Sequence, residues 1–184
     1  MIEIRNEIKE LVSSIIPLDQ IEKEHIEFVK EWIESGSEIF RIAKPDTPKT
    51  HLVSYFVLVD PSTNELLLVD HKKSDFWLPA GGHVEVGEHP METVKREIQE
   101  ELGIEADFLF DDPLFVTITE TTGNVAKHTD VSLWYMLRGN REEPLEFDAE
   151  EFHQIRWFHP DEIPYERTDP HMRRFLNKIT SPSD

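Results

Sequence analysis

The sequence predicts an α/β fold of the α+β-sandwich kind, a mixed β-sheet lying between helices, with an N-terminal helical extension. Three observations carry that prediction. Apolar residues recur at helical spacing up to about Ala43 and then give way to short β-rich runs from His51. One helix with both ends marked, Pro90 to Leu102, interrupts those runs, and a further helical stretch, His171 to Ile179, closes the chain.

Taken in order, Ile4, Ile8 and Leu11, then Ile21, Val29, Trp32, Ile33 and Ile39, read as two helices separated by Pro17. Lys44 to Lys49 (KPDTPK) holds two prolines and reads as a linker, so residues 1–47 form the extension and 48–184 the main domain. HLVSYFVLVD and ELLLVDHKK, joined by the turn formers Pro61 to Asn64, predict a hairpin. A loop with Phe76, Trp77 and the Gly81-Gly82 pair follows. The next helix has Pro90 at its first position and Gly103 just past its end. PLFVTIT, a turn at Thr122 to Asn124, and VAKHTDVSLWYMLRG predict a second hairpin, and FHQIRWF a further strand.

Composition narrows the function. At 184 residues the chain holds one well-buried core and an appendage, and 38% hydrophobic with 31% charged residues is the balance of a folded protein. A formal charge of -19 repels nucleic-acid polymers and anionic membrane surfaces alike. Such a protein binds a polyphosphate only through bridging divalent cations, which calls for clustered carboxylates. The absence of cysteine removes disulfides, thiolate metal sites and cysteine nucleophiles. With neither a targeting segment nor a membrane-length apolar stretch, a cytoplasmic location is expected.

The chemistry concentrates in Gly82 to Ile104, GHVEVGEHPMETVKREIQEELGI. On a helix of 3.6 residues per turn, Glu97, Glu101 and Glu100 share a sector of about 100°, and Val94, Ile98, Met91 and Leu102 lie between about 60° and 140° from Glu97. One face packs down while its neighbour displays acid. Three carboxylates so close raise one another's pKa unless cations compensate, and an oxygen-only donor set favours Mg²⁺ or Mn²⁺.

This stretch resembles the signature of the Nudix hydrolase family at every specified position: Gly82, Glu88, Arg96, Glu97, Ile98, Glu100, Glu101, Gly103 and Ile104. Seven of these are single-residue requirements, and a chance match is about one in a hundred million. The resemblance implies a Nudix fold from about His51 to Pro160. It also implies divalent metal held by Glu97, Glu100, Glu101 and the backbone carbonyl of Gly81, and an Arg96 paired with an acid, for which Glu88 is the partner at hand. The implied reaction is attack of metal-activated water on one phosphorus of a pyrophosphate. A general base in this family often comes from a loop outside the signature, and here Asp148, Glu150 and Glu151 are the candidates, with Glu120 behind them.

Other residues read more simply as structural. His83 sits at an unspecified signature position and is expected to bond in a turn. His71 and His128 are expected to make structural hydrogen bonds, and Trp77, Phe76 and Tyr55 to pack in the core rather than stack on a base. The N-terminal helices, outside the resemblance, serve as a lid, a cap or a homodimer contact.

The expected reaction is hydrolysis of a nucleoside diphosphate-linked small molecule, foremost a plain or modified nucleoside triphosphate to its monophosphate and pyrophosphate. ADP-ribose or a nucleotide sugar is the alternative. Thr119 to Asn124 carries neither the proline marking ADP-sugar hydrolases nor the tyrosine marking dinucleoside polyphosphate hydrolases. A diphosphate isomerase of the same fold would need a cysteine. A non-catalytic nucleotide-sensing module would show a decayed signature and a basic partner domain.

Overall fold

The computed structural model describes residues 2–44, 46–121 and 127–180. Helices α1 (Ile2–Ser14) and α2 (Gln20–Glu34) flank Pro17. Asp19 caps α2 by accepting from the Glu22 amide, and its carboxylate is gripped by Arg174 at 2.6 and 2.8 Å, which holds its pKa down at about 2. Buried Glu22 likewise takes Lys178 at 2.5 Å, so the start of α2 is tied to the C-terminal helix α4 (Met172–Thr180).

Strand β1 (Thr50–Asp60) is the spine of the sheet. It runs parallel to β6 (Thr129–Arg138) over ten register pairs, from Thr50↔Thr129 to Val59↔Arg138. Beyond β6 lies antiparallel β5 (Phe115–Glu120). On its other side β1 has two neighbours in succession. β4 (Ala80–His83) pairs with Val53 to Phe56, and β2 (Glu65–His71) pairs only at Val59↔Leu66 and Asp60↔Glu65. β2 then diverges to pair with β3 (Phe76–Leu78) and β7 (Phe152–Phe158).

Both faces of the sheet are covered, which is why β1 is apolar almost throughout. Leu52, Phe56 and Leu58 face a core shared with Ile8 and Val12 of α1, Val29 and Ile33 of α2, and Val94, Ile98 and Leu102 of α3 (Pro90–Leu102). Val57 and Val59 face the opposite core, where Phe115 and Trp134 meet Phe175 and Leu176 of α4. The expected mixed sheet between helices is thus the observed architecture.

Several expectations need correction. Ile39 lies beyond the end of α2 and is buried outside any helix, so its apolar character reports burial and not helical period. The first hairpin exists only at its turn, because β1 exchanges β2 for β4 after two pairs. The stretch around Phe76 and Gly81-Gly82 is two strands, of three and four residues, too short to show an alternating pattern. α3 spans the expected residues, with His89 as its N-cap and Gly103 left-handed at φ 67. β5 and β6 pair antiparallel as the second hairpin requires; its turn at Thr122 to Asn124 lies outside the described residues. Among the described residues no helix is long and apolar enough to cross a membrane.

Candidate active site

The helix α3 turns Val94, Ile98 and Leu102 into the core, and that rotation decides what happens to its carboxylates. Glu101, nearest the apolar face, is 5% exposed; its Oε2 accepts from the Gly81 amide at 3.1 Å. Burial, with Glu97 and Glu151 beside it, pushes its pKa well above the carboxylate range. Glu97 is raised for the same first reason, burial, with Arg96 opposing and Glu100 and Glu151 adding to the shift. The Glu100 side chain, on the far flank, is 63% exposed.

Arg96 organises the other side of the cluster. Its Nε and Nη2 each donate to a different Glu88 oxygen at 3.1 Å, Nη1 donates to Glu97 Oε1 at 2.6 Å, and Nη2 also reaches the His83 carbonyl at 3.2 Å. Nη1 lies 3.7 Å from Glu100. Glu88 further accepts from the Thr93 hydroxyl and the Glu85 amide at 2.8 and 3.0 Å. Burial pushes the Glu88 pKa up, but these donors, Arg96 foremost, override it and leave it lowered. Arg96 is correspondingly raised, first by its hydrogen bonds to Glu88.

The glycine pair is spent on close approach. A Cβ at Gly82 would sit 2.1 Å from Glu97 Oε1, and one at Gly81, whose φ is 139, would sit 2.1 Å from the Ser54 carbonyl. Strand β4 can therefore press between β1 and α3, with its backbone against both buried carboxylates.

These groups line one cleft of about 1120 Å³, which holds Gly81, Gly82, Arg96, Glu97, Glu100 and Glu101. Of the three loop acids, Glu151 alone joins them there. Asp148 spends its backbone amide on the Glu101 carbonyl at 2.9 Å and its side chain on the Glu150 amide at 2.7 Å. Glu150 is exposed outside the cleft, as is Glu120, which pairs with Lys127.

The donor chemistry suits a hard divalent cation. Glu97 and Glu101 present only oxygen, both are largely withdrawn from water, and Arg96 and one amide are their nearest compensation. Glu97, Glu101 and the adjoining Gly81 peptide, with Glu100 at the rim, are the groups that would hold it.

Among the remaining candidates, Trp77 lies in the second core, edge-on to Phe158 at 4.9 Å. Tyr55 lines the cleft but packs edge-on against Trp134 at 5.3 Å. His71 accepts from the Lys73 amide and leans over Phe152. His83 is not a turn residue: it ends β4, its ring 4.8 Å from that of His51. At this end of the cleft stand Arg41, Asp46, His128 and Asp130, none of them carried by the signature. His51 and Asp130 drew no functional reading from the sequence. Local spacing holds no sign of them, because they meet only through the β1–β6 register, His51↔Asp130.

Comparison with known proteins agrees with this geometry. The family model for the NUDIX domain matches residues 50–179. The chain is 34% identical over 106 residues to the asymmetrical bis(5'-nucleosyl)-tetraphosphatase of Rattus norvegicus, covering 56% of this chain and 70% of that protein. It is 42% identical over 57 residues to an m7GpppN-mRNA hydrolase of Xenopus laevis, an overlap of 28% of this chain and 19% of that one. Among solved structures, the E. coli dihydroneopterin triphosphate pyrophosphohydrolase superposes with a TM-score of 0.56 at 17% identity, covering 70% of this chain and 93% of that one.

Proposed function

This chain belongs to the Nudix hydrolase family, enzymes acting on phosphoric anhydride bonds, and from that premise we propose that it is a Mg²⁺- or Mn²⁺-dependent pyrophosphohydrolase of nucleoside polyphosphates. The finer reading is conversion of a plain or modified nucleoside triphosphate to its monophosphate and pyrophosphate, in the cytoplasm. The observation that carries the chemistry is the pair Glu97 and Glu101, two withdrawn carboxylates with raised pKa facing one cleft.

Bound there, a divalent ion supplies a water of lowered pKa and neutralises charge on the anhydride oxygens. The chain's own residues do the rest. Arg96, braced by Glu88, sets the orientation of Glu97. Gly81 and Gly82 let β4 approach both carboxylates. Glu151, the loop acid that reaches the cleft, is placed to accept the proton of the attacking water.

A second reading, asymmetric cleavage of a dinucleoside tetraphosphate, draws on the likeness to the rat enzyme and on a cleft of about 1120 Å³, larger than a mononucleotide needs. Both are tested by Mg²⁺-dependent phosphate and pyrophosphate release from purified protein. The panel covers nucleoside triphosphates, oxidised triphosphates, ADP-ribose, nucleotide sugars and dinucleoside polyphosphates, with Glu97→Gln as control. Triphosphate turnover lost in the control supports the first reading, and a preference for dinucleoside tetraphosphate replaces it with the second. Silence across the panel overturns both.

A further inference from the structure

At the end of the cleft away from Glu100, three strands bring a second set of ligand-type side chains together. His51 and Asp130 are register partners on β1 and β6, and His83 on β4 pairs with Val53, two residues along β1 and therefore on the same face as His51. One ligand atom from each of His51, His83 and Asp130 lies within 4.8 Å of the others. His51 Nε2, His83 Nε2 and Asp130 Oδ1 are also buried atoms without a hydrogen-bond partner among the described residues. His51 itself is fully buried.

The proton positions sharpen the point. His51 Nδ1 is 2.8 Å from the Pro48 carbonyl, which can only accept, so Nδ1 carries the hydrogen. A neutral His51 then aims the lone pair of Nε2 at Asp130 Oδ1, 3.2 Å away. His128 repeats the arrangement. The Thr121 hydroxyl donates to the His128 carbonyl at 3.0 Å and so accepts from Nδ1, also at 3.0 Å, while Nε2 lies 3.4 Å from the same Asp130 oxygen. Imidazole lone pairs facing a carboxylate lone pair in a buried site repel unless a cation stands between them.

We propose that His51, His83 and Asp130, with His128 in reach as a fourth ligand, form a second metal site for a borderline divalent ion of the Zn²⁺ class, separate from the carboxylates of α3. Tetrahedral donors at the usual Zn–N and Zn–O distances stand about 3.3 Å apart, close to the two separations measured to Asp130. A backbone carbonyl accepting the far ring N–H of a metal-ligating histidine is the usual way such a ring is oriented. Two carboxylates are at hand to balance the ion, since Asp46 lies 3.5 Å from His128 Nδ1. His83, His128 and Asp130 line the cleft, which supplies an entry path. The site would pin β4 to β1 and β6. The His83 carbonyl already takes Arg96, so the pin holds the backbone on which the α3 carboxylates rest.

The proposal does not depend on the hydrolase reading, and its test needs no substrate. Metal-stripped full-length protein in excess Mg²⁺ is titrated with Co²⁺, followed by visible absorption. The expected result is one equivalent of a tetrahedral Co²⁺ spectrum, displaced by Zn²⁺, retained in Glu97→Gln/Glu101→Gln and lost in His83→Gln and Asp130→Asn. A spectrum lost with the glutamates and kept in the other two variants overturns it, as does no spectrum in the unaltered protein. Because those variants can fail to fold, histidine ¹⁵N NMR of the unaltered protein is the second measurement. Zn²⁺ shifting the Nε2 resonances of His51 and His83 supports the site. Protonated Nε2 atoms that Zn²⁺ leaves unmoved show a buried imidazolium–carboxylate pair instead and overturn it.

Discussion

Glu97 occupies the space that a side chain at Gly82 would need: its Oε1 lies 2.1 Å from where a Cβ would be built. Gly82→Ala therefore displaces Glu97 from β4 rather than straining the Gly82 backbone. Turnover should fall on the order of 10²-fold, as for a supporting residue of a metal ligand, with a small change in Tm. A variant with full kcat would show that Glu97 need not touch the strand.

Glu101→Gln should move stability and activity in opposite directions. Its folded pKa is raised by burial, so the stability linked to it is complete below the ordinary value of 4.5 and is lost as pH rises through the raised value. Without metal, the amide variant should melt higher than the parent, increasingly so above pH 4.5, while Mg²⁺-dependent turnover drops roughly 10²- to 10³-fold. Thermal melts across pH in chelator, beside a steady-state assay, check both halves.

Glu88 is the anchor of Arg96, accepting from two of its nitrogens as well as from Thr93 and Glu85. Glu88→Gln weakens those charge-assisted bonds and should destabilise the protein by about 1–3 kcal/mol, with kcat/KM lowered about tenfold because Arg96 no longer orients Glu97. Urea unfolding that matches the parent would refute the bracing role.

Among the loop acids the effects should separate. Glu151→Gln should lower kcat on the order of 10²-fold and flatten the acid limb of the kcat/KM pH profile, since only Glu151 reaches the cleft. Glu150→Gln, outside it, should leave both unchanged. Equal effects at the two positions would remove Glu151 as the base.

The contact between α2 and α4 should make the fold acid-labile. Burial, with Arg174 and His25 beside it, lowers the His171 pKa from 6.5 to about 4. Its contribution is present above pH 6.5 and lost as pH falls toward about 4. His171→Gln should flatten Tm against pH in that window. The lowered Asp19 acts further down, between 3.8 and about 2, and should leave the same window untouched.

The helix Pro90–Leu102, its caps and its acid face were legible in the sequence, and so was the Arg96–Glu88 pair one turn before it. The strands of three and four residues at Phe76 and Ala80 were not, because pairing across the sheet defines them rather than any pattern of their own. Nor could the chain distinguish Glu151 from Glu150 and Asp148, whose side chains diverge within one turn.

By itself, then, the sequence determined everything that follows from helical period and end chemistry: which carboxylates share a face, where that helix starts and stops, and that the chemistry is metal-assisted. Tertiary structure alone decided that Glu101 is buried while Glu100 faces water, and that His51, His83 and Asp130 converge. The physical reason is range. A helix face is set by neighbours three and four residues apart, whereas the β1–β6 register joins positions 51 and 130 through packing and backbone hydrogen bonds that no local spacing encodes.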